Sequence, residues 1–189
     1  MIRIGILGNI GSGKSYVAKN FGYPVFDADY EVTKLYKKNK KIFKKLKKKL
    51  PKYISSFPIN KIEITNAILD NKSNLKKIIS VIHLEIRKIL KLFLKKNRNK
   101  KVIILDIPLL LENKINNKND ILVFVDSRKI EIEKRLKKRL NFNRKLINKF
   151  KKIQFSSSYK KRRSNFIIKN NFKKKSIKNS IKKILNEIL

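Results

Sequence analysis

Four of the chain's five glycines, Gly5, Gly8, Gly11 and Gly13, fall within its first thirteen residues, and only Gly22 lies beyond them. Glycine is needed where the backbone takes a positive φ or comes close to a ligand, so this cluster marks a sharp loop. The loop reads Gly8-Asn9-Ile10-Gly11-Ser12-Gly13-Lys14-Ser15 and matches GxxxxGK[ST] at each specified position. An apolar strand, Ile2–Leu7, precedes it, and Lys14–Phe21 has helical character up to Gly22. Strand, loop and helix in that order make a phosphate cradle. Successive backbone N–H groups and the helix N-terminus offer unsatisfied donors and partial positive charge to the β- and γ-phosphates of ATP. In that arrangement Lys14 reaches the β/γ oxygens and Ser15 ligates Mg²⁺. The competing reading is a strand-to-helix turn that happens to be glycine-rich.

The remainder reads as an α/β alternation with one interruption. Tyr23–Asp27 is a second strand, ended by Asp27-Ala28-Asp29. From about Tyr30 to Asn97 apolar residues such as Ile78, Ile79, Ile82, Ile86, Ile89, Leu90 and Phe93 recur at helical spacing, and Pro51 and Pro58 punctuate the block. Val102–Leu105, ending at Asp106, and Ile121–Val125, ending at Asp126, are continuous apolar runs of the kind a parallel sheet covered on both faces requires. A helix over about Lys129–Arg139, a basic segment to Asn143, a helix from Arg144, a strand near Asn165–Ile168 and a helix from Lys175 complete the chain. The expected fold is α/β: a P-loop NTPase-type, doubly wound parallel sheet of five strands with right-handed crossovers. It carries a helical insertion over about 30–98 and a small lid over about 128–162. Ligands then sit at the carboxyl ends of the strands, where Gly8, Asp29, Asp106 and Asp126 converge.

At 189 residues the chain has room for one such domain with an appendage, not for two independent domains. It has no cysteine, which suits a reducing cytoplasm. No apolar stretch approaches 18 residues and the N-terminal run lacks a small-residue cleavage site, so a soluble, cytoplasmic protein without membrane partners is expected. The 51 Lys+Arg against 13 Asp+Glu give a formal charge of +38, which in isolation points toward nucleic acid. These residues are mostly lysines spread beside abundant Asn and Ile, the pattern an AT-biased coding sequence produces by drift. A solvated, drifted surface is therefore the expectation, with no specific nucleic-acid partner.

Exclusion narrows the class of P-loop protein. Asn117-Lys118-Asn119-Asp120 fits the NKxD pattern that reads guanine, but it precedes a strand instead of following one. No glycine exists after Gly22, so there is no DxxG switch for a γ-phosphate. The same absence argues against shikimate kinase, which shares an Asp-x-Asp after its second strand but needs a later glycine cluster. A small-molecule kinase with another substrate remains.

These residues resemble the dephospho-CoA kinase family over nearly the whole chain. GILGNIGSGKSYVA is similar to the family's opening motif, VFDAD to its second-strand signature, and Asp106-Ile107-Pro108-Leu109-Leu110-Leu111-Glu112 to its DxPLLxE segment. Ile82-His83 followed by Arg87, Arg135 and Arg139 in a lid RxxxR, Gln154, and Ile168-Lys169-Asn170 extend the match. Departures are Asn9 and Tyr16 where Gly and Thr are usual, Leu84 for the proline after His83, Lys61 for an arginine, and Ser164-Asn165 and Phe172 for Ala-Asp and Gly.

The resemblance implies transfer of the ATP γ-phosphate to the ribose 3′-hydroxyl of dephospho-CoA, the last step of coenzyme A synthesis, by a monomer or weak homo-oligomer. ATP would be held by Gly8 to Tyr16 (Gly8, Asn9, Ile10, Gly11, Ser12, Gly13, Lys14, Ser15, Tyr16), Arg139 and Asn170. Lys14, Asp29 and Arg139 are the candidate catalytic residues. Asp29 would accept the hydroxyl proton, or cap a helix beginning at Tyr30, or both. Asp27 is a strand-end group or an outer-shell ligand, and Asp106 would hold a Mg²⁺ water beside Ser15. Arg139, with Arg135 or Arg144 as substitutes, would swing onto the phosphates, because a guanidinium fork suits them better than a lysine. Asp29, His83, Arg87, Pro108, Leu109 and Glu112 would contact the acceptor, with a structural role open for His83 and a capping role for Glu112. The rival functions are a nucleoside or nucleotide kinase with another acceptor, and a basic P-loop protein whose role is nucleic-acid binding.

Overall fold

A computed structural model describes residues 1–139 and 142–189. Contacts divide them into two compact units, Met1–Asp27 with Asn97–Leu189, and Ala28–Lys96.

The first unit is built on a five-stranded sheet of β1 (Ile2–Gly8), β2 (Val25–Asp27), β3 (Val102–Asp106), β4 (Ile121–Asp126) and β5 (Phe166–Lys169). Every pairing is parallel and the order is β2-β3-β1-β4-β5. The chain moves outward from β1 on one side and returns to its other side at β4, so the order reverses beside β1, where an open α/β sheet leaves a crevice at its carboxyl edge. Alternate strand residues point to opposite faces. One face, with Ile4, Ile6, Ile104, Val123, Val125 and Ile168, is covered by α1 (Lys14–Asn20) and α9 (Lys174–Ile188), through Val17, Ala18, Ile177 and Ile181. On the other face a side chain at Gly5 would meet Leu110 Cδ2 at 2.6 Å, so the missing Cβ is what lets the turn after β3 lie on β1. The helices α6 (Lys129–Lys137), α7 (Arg144–Ile153) and α8 (Ser157–Arg162) lie between β4 and β5. The basic segment expected to reach Asn143 includes Leu140 and Asn141, which lie outside the described residues.

The second unit is helical: α2 (Ala28–Lys38), α3 (Lys40–Lys49), α4 (Lys61–Asp70) and α5 (Lys72–Lys96). Its starts follow local chemistry. Asn39 caps α3 by accepting from Ile42 N, and Asn60 with Glu63 forms a capping box on α4. In α5 the expected apolar stripe is buried at Ile78, Ile82, Ile86 and Leu90, while Ile79, Ile89 and Phe93 are half-buried. In α3 seven lysines surround buried Ile42 and Leu46, so its lysine run is a solvated face. No helix of the described residues is long and apolar enough to cross a membrane.

Three expectations need correction. The second strand is shorter than Tyr23–Asp27, because it pairs with β3 only from Val25. The helix after it starts at Ala28, so Asp29 lies in its first turn and is not its cap. The helix expected to reach Arg139 ends at Lys137.

Candidate functional site

Three strands of the first unit end in chemistry: β1 at Gly8, β3 at Asp106 and β4 at Asp126. From Gly8 the chain runs through the loop into α1, and Ser12 N–H donates to the Asn9 carbonyl at 3.1 Å to shape the turn. Lys14 Nζ folds back and donates to the carbonyls of Gly8 (3.2 Å) and Asn9 (3.0 Å). At Gly13, with φ +90°, a Cβ would strike Asn170 Nδ2 at 2.4 Å. Both backbone and space therefore exclude a side chain there.

Asn170 is buried after β5, and its Nδ2 donates to the Ser12 carbonyl at 2.8 Å. Ser127 Oγ donates to the same carbonyl at 2.9 Å. The loop is thus braced from β4 and β5 through one carbonyl. Ser127 was not anticipated, because a lone serine after a strand carries no motif. The N–H of Phe172 donates to Asn170 Oδ1, and the Arg135 guanidinium lies 4.3 Å from the Phe172 ring centroid. Arg135 is therefore stacked on a ring. Arg139 is exposed, its backbone N–H bonded to the Leu136 carbonyl, and Arg144 opens α7. Tyr16 is 42% exposed on α1.

Asp106 is 4% exposed. Burial raises its pKa above the usual carboxylate value; the Ser15 hydroxyl hydrogen bond and the charge of Lys14 oppose this, and Asp27 reinforces it. Asp27 is Asp106's register partner on β2. A serine hydroxyl on a buried carboxylate, with a second carboxylate one strand over, is an all-oxygen set. It fits Mg²⁺, which keeps most of its waters and takes one or two protein oxygens. Among the described residues no three His, Asp or Glu side chains gather as a metal cage.

A raised acid pKa means the folded state holds the proton more tightly than the unfolded chain. That stability is full below the ordinary carboxylate value and is lost as pH rises through the raised one. Asp106→Asn is therefore expected to melt above the parent at neutral pH, by about 2–4 °C for each kcal/mol relieved, without Mg²⁺. Thermal melts across pH check this; a variant less stable than the parent at neutral pH contradicts it.

The turn after β3 places Pro108, Leu109 and Glu112. Leu109 holds a left-handed backbone at φ 60°. Glu112 Oε1 accepts from Phe155 N–H at 2.8 Å and lies 3.3 Å from Lys160 Nζ. Lys161 reaches Asp126 Oδ2 at 2.7 Å, and Ser157 Oγ donates to Asn9 Oδ1 at 3.0 Å. These α8 contacts were missed because Ser157-Ser158-Tyr159-Lys160-Lys161-Arg162 has no apolar period and its lysines are hidden among many others. Asp120, weighed as a guanine reader, is instead gripped by Arg3, with Nε 2.9 Å from Oδ1. It also accepts from Asn117 N–H, and so shapes a turn.

In the second unit, Asp29 sits in the first turn of α2 and its carbonyl accepts from Thr33 Oγ1. His83 and Arg87 lie one turn apart on α5, where burial first and the Arg87 charge second lower the imidazole pKa.

A family model for dephospho-CoA kinase matches residues 2–176. The chain belongs to the dephospho-CoA kinase family. It is 31% identical over 190 residues to a dephospho-CoA kinase from Wolbachia sp. subsp. Brugia malayi, covering 98% of this chain and 97% of that protein. Its fold is similar to a crystal structure from Thermus thermophilus, with TM-score 0.80, 27% identity, and 100% and 98% of the two chains covered. A likeness of fold extends to the dephospho-CoA kinase from Campylobacter jejuni, with TM-score 0.61, 22% identity, and 98% and 96% coverage. Departures from the dephospho-CoA kinase pattern have structural counterparts. Phe172, where glycine is usual, takes φ 61° itself, and Asn9, also at a usual glycine, accepts the Ser157 hydroxyl. Asn165 replaces an Asp and accepts from Leu122 N–H at 2.8 Å.

Proposed function

We propose that this chain transfers the γ-phosphoryl group of ATP to the ribose 3′-hydroxyl of dephospho-CoA, giving coenzyme A and ADP. The observation that carries the reading is the Gly8–Ser15 loop, with Ser15 hydrogen-bonded to buried Asp106, in a chain of the dephospho-CoA kinase family. The 3′-oxygen forms a bond to the γ-phosphorus as the bond to the β–γ bridging oxygen breaks, and Asp29 takes the hydroxyl proton. Little covalent chemistry is asked of the protein, so positioning and charge neutralisation do most of the work. Lys14 and the loop N–H groups hold the β- and γ-oxygens, and Arg139 meets the charge as it develops. Ser15 and, through water, Asp106 would hold Mg²⁺, which supplies charge neutralisation across the β- and γ-phosphates. Asn170 supports the nucleotide side of the loop, and Tyr16 follows it on α1. His83, Arg87, Pro108, Leu109 and Glu112 contact the acceptor, residues 128–162 serve as the lid, and the helical unit serves as the acceptor-binding insertion.

Incubating the purified protein with ATP, Mg²⁺ and a panel of acceptors, and weighing the products by mass spectrometry, tests this. Phosphorylated dephospho-CoA is expected. Preferential phosphorylation of a nucleoside or nucleotide would overturn the acceptor assignment.

The charge of +38 makes a second expectation. With a drifted surface, duplex DNA or RNA binds loosely, without sequence preference, and affinity falls steeply with salt as counterions are released. A complex that persists near about 0.2 M salt and discriminates sequences would contradict it. The protein works as a monomer or weak homo-oligomer in the cytoplasm.

A further inference from the structure

Among the described residues Lys160 is the only buried Lys or Arg. Its side chain is 3% exposed and that of Glu112 is 8% exposed. A buried ammonium is costly unless paired, and an apolar pair of similar volume is often as stable or more so. Stability alone therefore does not call for this pair. What the pair does is connect three parts of the first unit. Glu112 belongs to the turn laid on β1 at Gly5, and its Oε1 also holds Phe155 N–H at the entry to α8. From α8, Ser157 bonds Asn9 in the phosphate loop and Lys161 bonds Asp126 at the end of β4. Gly8, Lys14, Leu109, Glu112 and Lys160 wall one cavity of about 10 Å³, so the pair and the phosphate-loop lysine face the same small space.

We propose that Lys160 is a positioning residue for phosphoryl transfer: through Glu112 it fixes the 107–112 turn against α8 and the phosphate loop, holding acceptor side and nucleotide side in register. This rests on the function proposed above for its kinetic consequence, though not for its structural one. A misplacement near 1 Å is enough to cost about 10²-fold in rate. Lysine suits the task because its ammonium can satisfy Glu112 Oε1 while its stem fills apolar space.

The test is Lys160→Met, read three ways. Turnover with saturating ATP and dephospho-CoA should fall about 10²-fold. The ATP dissociation constant should stay within about threefold of the parent, since the loop's own N–H groups and Lys14 remain. Amide hydrogen exchange without any acceptor should rise at 107–112 while β3 stays protected. Lys160→Arg should restore turnover to within about tenfold, because the charge and a donor are kept. If the methionine variant fails to fold, Lys160→Gln, which keeps a donor for Glu112 without the charge, is read by the same measurements. A purely structural pair would instead lower the melting temperature and raise exchange throughout the sheet, leaving turnover of the folded protein unchanged. Turnover within about threefold of the parent, or unchanged exchange at 107–112, overturns the proposal. If the parent itself does not phosphorylate dephospho-CoA, the proposed function falls instead, and the acceptor-free exchange measurement still decides the role of Lys160.

Discussion

Lys14→Ala is expected to lower turnover by roughly 10³-fold or more while leaving the fold in place. Removing one preorganised group that meets developing charge costs about 10²–10³ in kcat in comparable sites, and in the proposed mechanism the lost group is a full charge at the transferred phosphate. Lys14 Nζ bonds the carbonyls of Gly8 and Asn9, which keeps the ammonium at the mouth of the loop. Anionic phosphate oxygens are stronger partners than neutral carbonyls, so the lysine can exchange one set for the other on binding. The fold has little stake in those two bonds. The loop is braced independently, through the Ser12 carbonyl, by Asn170 and Ser127. The measurement is kcat at saturating substrates beside a thermal melt of the same preparation. Retention of the parent's kcat would remove the phosphate-loop assignment.

Asp29→Asn is expected to lower kcat by roughly 10²- to 10⁴-fold. The amide keeps the shape of the side chain and loses its basicity, so an effect on rate reports proton transfer. The alternative role has changed with the structure. Asp29 lies in the first turn of α2, so part of what it offers the fold is a negative charge near a helix N-terminus. That is worth about 0.3–1 kcal/mol, or about 1–4 °C in melting temperature for a chain of this size. A purely structural Asp29 therefore predicts a small drop in stability with turnover near the parent's. A catalytic one predicts the rate loss with the same small drop. A variant that keeps more than about a third of the activity takes Asp29 off the catalytic list, since even weak general-base catalysis exceeds that.

The parts of the fold legible in the sequence are those whose signal is local. The loop could be read because glycine is rare elsewhere, and β3 and β4 because fully buried parallel strands are unbroken apolar runs. The α5 stripe was visible from its period. What stayed hidden depends on partners far along the chain. The pairing of Asp27 with Asp106 is a matter of strand register, which no local pattern encodes. The helix α8 has its place from Asn9, Glu112 and Asp126, and none of those contacts leaves a periodic trace in Ser157–Arg162. The stacking of Arg135 on Phe172 joins α6 to the segment after β5, where sequence comparison with the family pattern showed only a missing glycine.

Phe172 shares its backbone conformation with two other residues. Leu109, Lys114 and Phe172 all hold left-handed backbone, with φ of 60°, 50° and 61°. Each non-glycine residue in that region costs about 1–2 kcal/mol, against a net stability of about 5–15 kcal/mol for an ordinary domain. At Phe172, where the family pattern has glycine, the chain spends some of that reserve on a turn that a glycine would make without strain. A ligand can offset such a cost: at one hundred times its Kd, a nucleotide that binds only the folded form adds about 2.7 kcal/mol. Nucleotide held at the phosphate loop would offset the cost of the Phe172 turn in this way, and the melting temperature is expected to climb with ATP concentration.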